Sequence, residues 1–350
     1  MLARAVGLAA YRVARPLLFR FDPERIHRLT LRALRGAGED PVGRAVLAAI
    51  GAAPRSGRLL RVGDLRLRNR VGVGAGFDKN GVALRAWAAL GLGFAEVGTV
   101  TPLPQPGNER PRLFRLSPDL ALINRMGFNN AGAAELARHV MLSRRFLPPG
   151  FVVGVNIGRA KATAEEAAPA DYAAAFRLVA PVADYVAINL SSPNTPGLRA
   201  MQTPETVAAL LSALEESGRE LGCRRPIFVK LALDLDDDAL APLAGAVAAA
   251  GAGLVLGNTS VGRRGLTAPA ALRDEAGGLS GRPLRPRMLE MVELARKHVG
   301  PGTPIMASGG IGSARDAAAA MDAGADLVQL WTGLVYRGPA LIGEAIAATS

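Results

Sequence analysis

The sequence predicts an α/β protein built as a (β/α)8, or TIM, barrel with a short two-helix extension at its N-terminus, and three observations carry that reading. Strand and helix signals alternate through most of the chain, with strand candidates beginning near Val71, Phe94, Val152, Tyr185, Ile227, Gly253, Pro304 and Leu327. Eight such units in roughly 280 residues match the size of one barrel. Polar residues recur where those strands end, as the active face of such a barrel requires: Lys79, Thr99, Asn156, Asn189, Lys230, Asn258, Gly310 and Trp331-Thr332. Any one of them is more often a loop or cap residue, but buried strand ends should otherwise be apolar, so the repetition carries the weight. A doubly wound open sheet is the alternative. It is weakened by VGVGAGFDKN after the first strand, where a G-x-G-x-x-G turn would be needed.

Taken in order, the first segment, MLARAVGLAAYRVARPLLFRF, is apolar, arginine-rich and free of acidic residues, which is also how a transit peptide reads. Asp22-Pro23-Glu24 then supplies an N-cap, a first helical position and an acidic first turn, with Ile26, Leu29, Ala33 and Leu34 at helical spacing until Gly36 offers a stop. Two such helices suit a membrane interface, or simply pack on the main domain. Arg4, Arg12, Arg15 and Arg20 keep any apolar run below the ~20 residues that span a bilayer. LLRVGDLRLR alternates around Gly63-Asp64 and reads as a hairpin. The expected organisation is an extension over residues 1–45 and a barrel over 46–350.

With 350 residues, 49% of them hydrophobic, the chain can bury a large core. A formal charge of +12 allows nucleic acid, an anionic membrane or an acidic small substrate as partner. Nucleic acid is disfavoured, because the basic residues lack aromatic interleaving and no binding motif appears. Only four of the 42 basic residues are lysine, which draws attention to Lys79 and Lys230 at strand ends, since an ammonium is not interchangeable with a guanidinium. One cysteine and three scattered histidines give neither a disulfide nor a metal-ligand spacing, so the chain reads as intracellular and metal-free.

Asparagine is enriched at the expected rim: Asn124, Asn129, Asn156, Asn189, Asn194 and Asn258. Amides offer donors and an acceptor without charge, which suits a planar ligand with ring N–H and C=O groups, although asparagine also simply tolerates turns, as at Asn69 and Asn108. Lys79 and Lys230 suit ligand anions or negative charge developing on a cofactor, with a local pair to Asp78 the plainer reading for Lys79. The pairs Gly277-Gly278 and Gly309-Gly310 lie where such barrels bind phosphate on bare backbone.

Several strings go further. DPERIHRL, AGFDKNG, EVGTVTPLPQPGNERPRLFRL, INRMGFNN, VNIGRAK, AINLSSPNTPGLR, FVKLA, GNTS, GGLSGRPL, SGGIGS and LVQLWTGLVYRGP cover nearly the whole chain, and together they resemble the dihydroorotate dehydrogenases. The resemblance implies hydride transfer from C6 of dihydroorotate to FMN, removal of the C5 proton by a base, and orotate as product. SSPNTPGLR places the base at Ser192, and a serine base implies the membrane-associated, quinone-reducing class, since the soluble class uses cysteine and Cys223 lies elsewhere. The same resemblance implies substrate contacts from Lys79, Asn124, Arg125, Met126, Gly127, Phe128, Asn189, Asn194, Asn258 and Thr259. It implies FMN contacts from Ala75, Gly76, Phe77, Asp78, Lys79, Thr99, Asn156, Asn189, Lys230, Gly257, Gly281, Gly309, Gly310, Trp331 and Thr332.

His27 and Arg115 match positions placed near the quinone, and the extension would form an apolar tunnel toward the flavin. The implied partners are dihydroorotate and orotate, a membrane quinone and a membrane surface bound peripherally, at the cytoplasmic face of a cell membrane rather than in a mitochondrion. The oligomeric state stays open, with a monomer among the options. Gly257, Trp331 and Leu233 depart from the usual threonine, tyrosine and proline. Two competing readings remain: a soluble-class or other FMN barrel reductase using fumarate or NAD, and a non-enzymatic basic module at a membrane surface.

Overall fold

A computed structural model describes residues 2–51 and 57–350. Eight parallel strands close a barrel in sequence order: β1 (Val71–Val73), β2 (Phe94–Val100), β3 (Val152–Ile157), β4 (Tyr185–Asn189), β5 (Ile227–Leu231), β6 (Gly253–Leu256), β7 (Ile305–Ser308) and β8 (Leu327–Leu330). Closure comes from β8 pairing with β1, Val328 opposite Val71 and Leu330 opposite Val73. All eight strand starts agree with the sequence pattern within a residue. These strands are apolar on both faces because helices cover one and the barrel interior the other.

The barrel floor is packed by Phe94, Val152, Tyr185, Phe228, Met306 and Leu327, and the expected hairpin, Leu60–Val62 with Leu65–Leu67, closes it from below with Val62, Leu65 and Leu67. Close packing there depends on alternating large and absent side chains. A Cβ on Gly154 would lie 2.0 Å from the Tyr185 ring, and one on Gly253 would lie 2.3 Å from Phe228.

The extension differs from expectation in two respects. It has three helices: α1 (Leu2–Leu18), α2 (Pro23–Glu39) and α3 (Pro41–Gly51). Asp22 caps α2 by accepting the Arg25 N–H at 2.7 Å, but Gly36 does not end the helix, which runs one further turn to Glu39 before the Asp40 N–H closes on the Gly36 carbonyl. α3 then spans the point at residue 45 where the sequence suggested the extension ends. Val13, Leu17, Phe21, Leu29, Val42 and Val46, on or beside these helices, are apolar and exposed. Among the described residues no helix is long and apolar enough to cross a membrane.

A second unexpected element is an antiparallel sheet at the barrel mouth, in the order Gly278–Gly281, Ala121–Asn124, Leu113–Leu116. Its strands have four residues each and come from the long loops after β2 and β6, outside the strand–helix alternation that marks the barrel.

Candidate active site

A cavity of about 350 Å³ opens at the C-terminal ends of the strands. Its wall brings together Ser192, Lys79, Asn124, Met126, Gly127, Phe128, Asn189, Asn194, Asn258 and Thr259. Ala75, Gly76, Thr99, Lys230, Gly281, Gly309, Gly310, Trp331 and Thr332 line it as well.

The amides are organised by one another. Thr99 Oγ1 donates to Asn156 Oδ1 at 2.6 Å, Asn189 Nδ2 donates to Thr99 Oγ1 at 3.0 Å, and Asn258 Nδ2 reaches Ser191 Oγ at 2.8 Å. Ser191 Oγ in turn donates to Asn189 Oδ1 at 3.1 Å. Buried polar groups so paired have their orientations fixed before any ligand arrives. Ser192 sits in the loop after β4, accepting the Asn194 N–H on Oγ at 3.3 Å, while Asn194 Nδ2 donates to the Asn124 carbonyl at 3.2 Å. Arg199 holds that loop to the loop after β6, donating to the Ser191 and Thr259 carbonyls at 3.1 and 2.8 Å. Lys79 donates to Asn129 Oδ1. Burial pushes its ammonium down to about 7, with Arg112 adding to the shift and Glu24 opposing it.

Beneath the cavity lies a group that the sequence reading passed over. Glu96, fully buried on β2, accepts hydrogen bonds from Gln329 Nε2 at 2.7 Å, Asn156 Nδ2 at 3.0 Å, Tyr185 Oη at 3.1 Å and Lys230 Nζ at 3.5 Å. It supplies the counter-charge that lets the Lys230 ammonium stand almost fully buried. Burial, joined by the Glu96 charge, raises the Tyr185 phenol well above its ordinary value, so it remains a donor. Gln329 Oε1 is buried without a partner, and Gln329 lines the cavity.

Five of the expected contacts are not in the cavity wall. Asp78 is turned inward, accepting from the Val82 and Ala83 N–H groups and from Trp87 Nε1, so its carboxylate neither pairs with Lys79 nor faces the cavity. Arg125 is drawn away by Glu275 at 2.6 Å and lies over the Phe114 ring. Asn156 sits behind Thr99. Gly257 has φ +120° and no room for a side chain, since a Cβ would fall 1.5 Å from the Ser308 carbonyl oxygen. Phe77 faces a different pocket.

That second pocket, of about 180 Å³, lies between α1, α2 and the barrel and is largely apolar, lined by Tyr11, Leu18, Phe19, Ile26, Leu34, Phe77 and Ile342 among others. The expected pair His27 and Arg115 both line it. The His27 ring stacks on Trp331 (6.0 Å, 11°) and meets Phe77 edge-on (5.0 Å). Burial, aided by the Lys79 charge, pushes its pKa down to about 4, leaving it neutral at physiological pH. Arg115 donates to the Phe21 carbonyl at 2.7 Å, at the turn between α1 and α2. Leu113, Leu122 and Trp331 line both cavities, so one indole and two leucines of the mouth sheet form a wall common to both.

Fold and site therefore define a (β/α)8-barrel protein with a polar, pre-organised ligand cavity at its C-terminal mouth and an apolar antechamber beside it. Comparison with known proteins narrows this class. Residues 60–348 match the model of the Dihydroorotate dehydrogenase family. A dihydroorotate dehydrogenase (quinone) of Chloroflexus aurantiacus is 48% identical over 340 residues, covering 93% of this chain and 92% of that protein. One of Deinococcus deserti is 49% identical over 338 residues, covering 94% and 91%. Among solved structures, the dihydroorotate dehydrogenase of Eimeria tenella in complex with ferulenol superposes with a TM-score of 0.82 at 34% identity, covering 93% of this chain and 90% of that one. The chain belongs to the dihydroorotate dehydrogenase family.

Proposed function

We propose that this chain oxidises dihydroorotate to orotate in de novo pyrimidine biosynthesis, with FMN as its flavin and a membrane quinone as final acceptor. The observation that supports this best is the shared cavity: Ser192, two lysines and Asn124, Asn189, Asn194 and Asn258 line one space with a glycine-rich rim. The residues present fit FMN. Gln329 Oε1 and the Lys230 ammonium offer an acceptor and a cation at the floor, as the edge of a flavin ring needs. Gly309 and Gly310 leave bare backbone at the end of β7, where a phosphate would be held.

Bound FMN would supply a hydride acceptor for C6 of dihydroorotate and a two-electron carrier toward quinone. The protein's part is to hold and deprotonate. Lys79 meets the substrate carboxylate, and Asn124, Asn189, Asn194 and Asn258 match the pyrimidine's N–H and C=O edges. Ser192 takes the C5 proton. A serine hydroxyl is a poor base at neutral pH, so it must hand its own proton onward through water or a neighbouring hydroxyl. Lys230, balanced by Glu96, would hold a cation at the cavity floor that favours negative charge on a flavin bound there.

The second pocket is proposed as the quinone route, with His27 and Arg115 its polar groups. A lipid-soluble acceptor needs an apolar path, and the exposed Val13, Leu17 and Leu29 suit helices lying on a membrane surface, here the cytoplasmic face of the cell membrane. The test is to release and identify the flavin from purified protein, then compare acceptors. Dihydroorotate oxidation supported by quinone, with no response to fumarate or NAD, is expected. Turnover with either soluble acceptor would move the chain to another class, and a colourless protein would end the enzymatic reading.

A further inference from the structure

The helical extension reaches the substrate side of the molecule as well as the apolar pocket. Glu24, in the first turn of α2, is buried and receives Arg112 in a fork: Nε to Oε2 at 3.0 Å and Nη2 to Oε1 at 2.9 Å. Arg110 adds a third bond at 3.1 Å. Burial would raise this carboxyl, but the two guanidinium groups outweigh it and hold its pKa below the usual range.

Arg112 spends its remaining donors on the loop before it, Nη1 bonding the Pro106 and Asn108 carbonyls at 2.9 and 2.6 Å. That loop is stitched to the cavity wall. Gln105 Nε2 holds the Gly127 carbonyl at 3.0 Å, Asn108 Nδ2 holds the Arg125 carbonyl at 3.0 Å, and the Asn108 N–H bonds the Met126 carbonyl at 3.1 Å. The wall needs such support. Phe128 lines the cavity with φ +54°, a left-handed conformation that a bulky residue keeps only when its surroundings impose it.

We propose that Glu24 is a positioning residue for the dihydroorotate site, acting through Arg112 on the loop of residues 105–112 and so on the wall Met126-Gly127-Phe128. The extension is thereby part of both half-sites. A carboxylate on the helix that carries His27 fixes the loop that shapes the pyrimidine pocket, although no atom of Glu24 lines that pocket. This inference rests on the function proposed above.

The experiment uses full-length, flavin-loaded Glu24→Gln, which keeps the side chain's shape and removes its charge. Orotate affinity is read from the change in flavin absorbance, and turnover is measured with a soluble dye and with quinone. Breaking one partner of a buried pair is expected to weaken orotate binding about tenfold or more and to raise the KM for dihydroorotate equally with both acceptors, while the KM for quinone moves less than about twofold. Asn108→Ala cuts the same stitch at the loop and serves where Glu24→Gln does not fold. It is expected to weaken orotate binding about threefold to tenfold. A merely structural pair would lower the melting temperature and leave orotate affinity unchanged, which overturns the proposal. If wild-type protein neither binds orotate nor is reduced by dihydroorotate, the proposed function itself has failed; a normal wild type with an unperturbed variant sinks only this inference.

Discussion

Replacing Glu96 by glutamine isolates one charge at the centre of the barrel. The carboxylate receives four donors, two on each oxygen; an amide keeps one oxygen, to which Asn156 and Lys230 can still donate, while Gln329 can turn its unpaired Oε1 and the Tyr185 hydroxyl can rotate to accept the two new N–H groups. What is lost is the counter-charge to Lys230, whose ammonium lies 3.5 Å away and is almost fully buried. Removing one partner of a buried pair typically costs about 3–5 kcal/mol, far more than the net worth of the pair, because the surviving ion stays desolvated. For a domain of this size, at about 2 °C per kcal/mol, the flavin-free protein should melt about 6–10 °C lower. Bound FMN gives the ammonium another acceptor, so the loss should fall below about half that figure in the flavin-loaded protein. Thermal unfolding followed by circular dichroism, with and without added FMN, reads both numbers. Equal losses in the two states, or no loss in either, would refute the role assigned to Glu96 and to Lys230 as a flavin contact.

Three further outcomes are expected. Ser192→Ala should retain FMN and bind orotate, yet slow flavin reduction by dihydroorotate about 10²–10⁴-fold in stopped flow; reduction at the normal rate would place the base elsewhere. Lys79, with a pKa near 7 in the free site, must be protonated to hold a carboxylate, so orotate affinity should fall as pH rises above about 7, approaching tenfold per unit, and Lys79→Gln should flatten that dependence in a pH-resolved titration. Gly310→Ala places a Cβ 2.4 Å from the Arg285 backbone nitrogen at φ +74°, so FMN retention on purification should drop about tenfold or more.

The sequence disclosed the barrel because its strands are short apolar runs at regular spacing, and every predicted start was found. It disclosed the cavity because amides and lysines at the ends of such runs have no packing reason to be there. What it hid falls into physical classes. α3 opens with Asp40-Pro41, the same cap signature as Asp22-Pro23, so that helix was legible and was missed. The strand Gly278–Gly281 is as long as β6, β7 and β8, but half of it is glycine and it offers no apolar run to read. Glu96 left one signal, an acid inside the run FAEVGTV, which is buried along its whole length; a carboxylate there must have partners, but the sequence does not say which. Asn108, read as a turn residue, proves to tie a loop to Arg125. The resemblance implies Asp78 and Gly257 as flavin contacts, and only coordinates show that the Asp78 side chain turns inward to cap a turn and that the Gly257 Cα lies against a carbonyl.

Anaerobic mixing of the purified flavin-loaded protein with one equivalent of dihydroorotate tests the account most directly. The visible flavin absorbance should bleach within a single turnover and one orotate should appear per flavin. A flavin that stays oxidised while dihydroorotate is present in excess would contradict it.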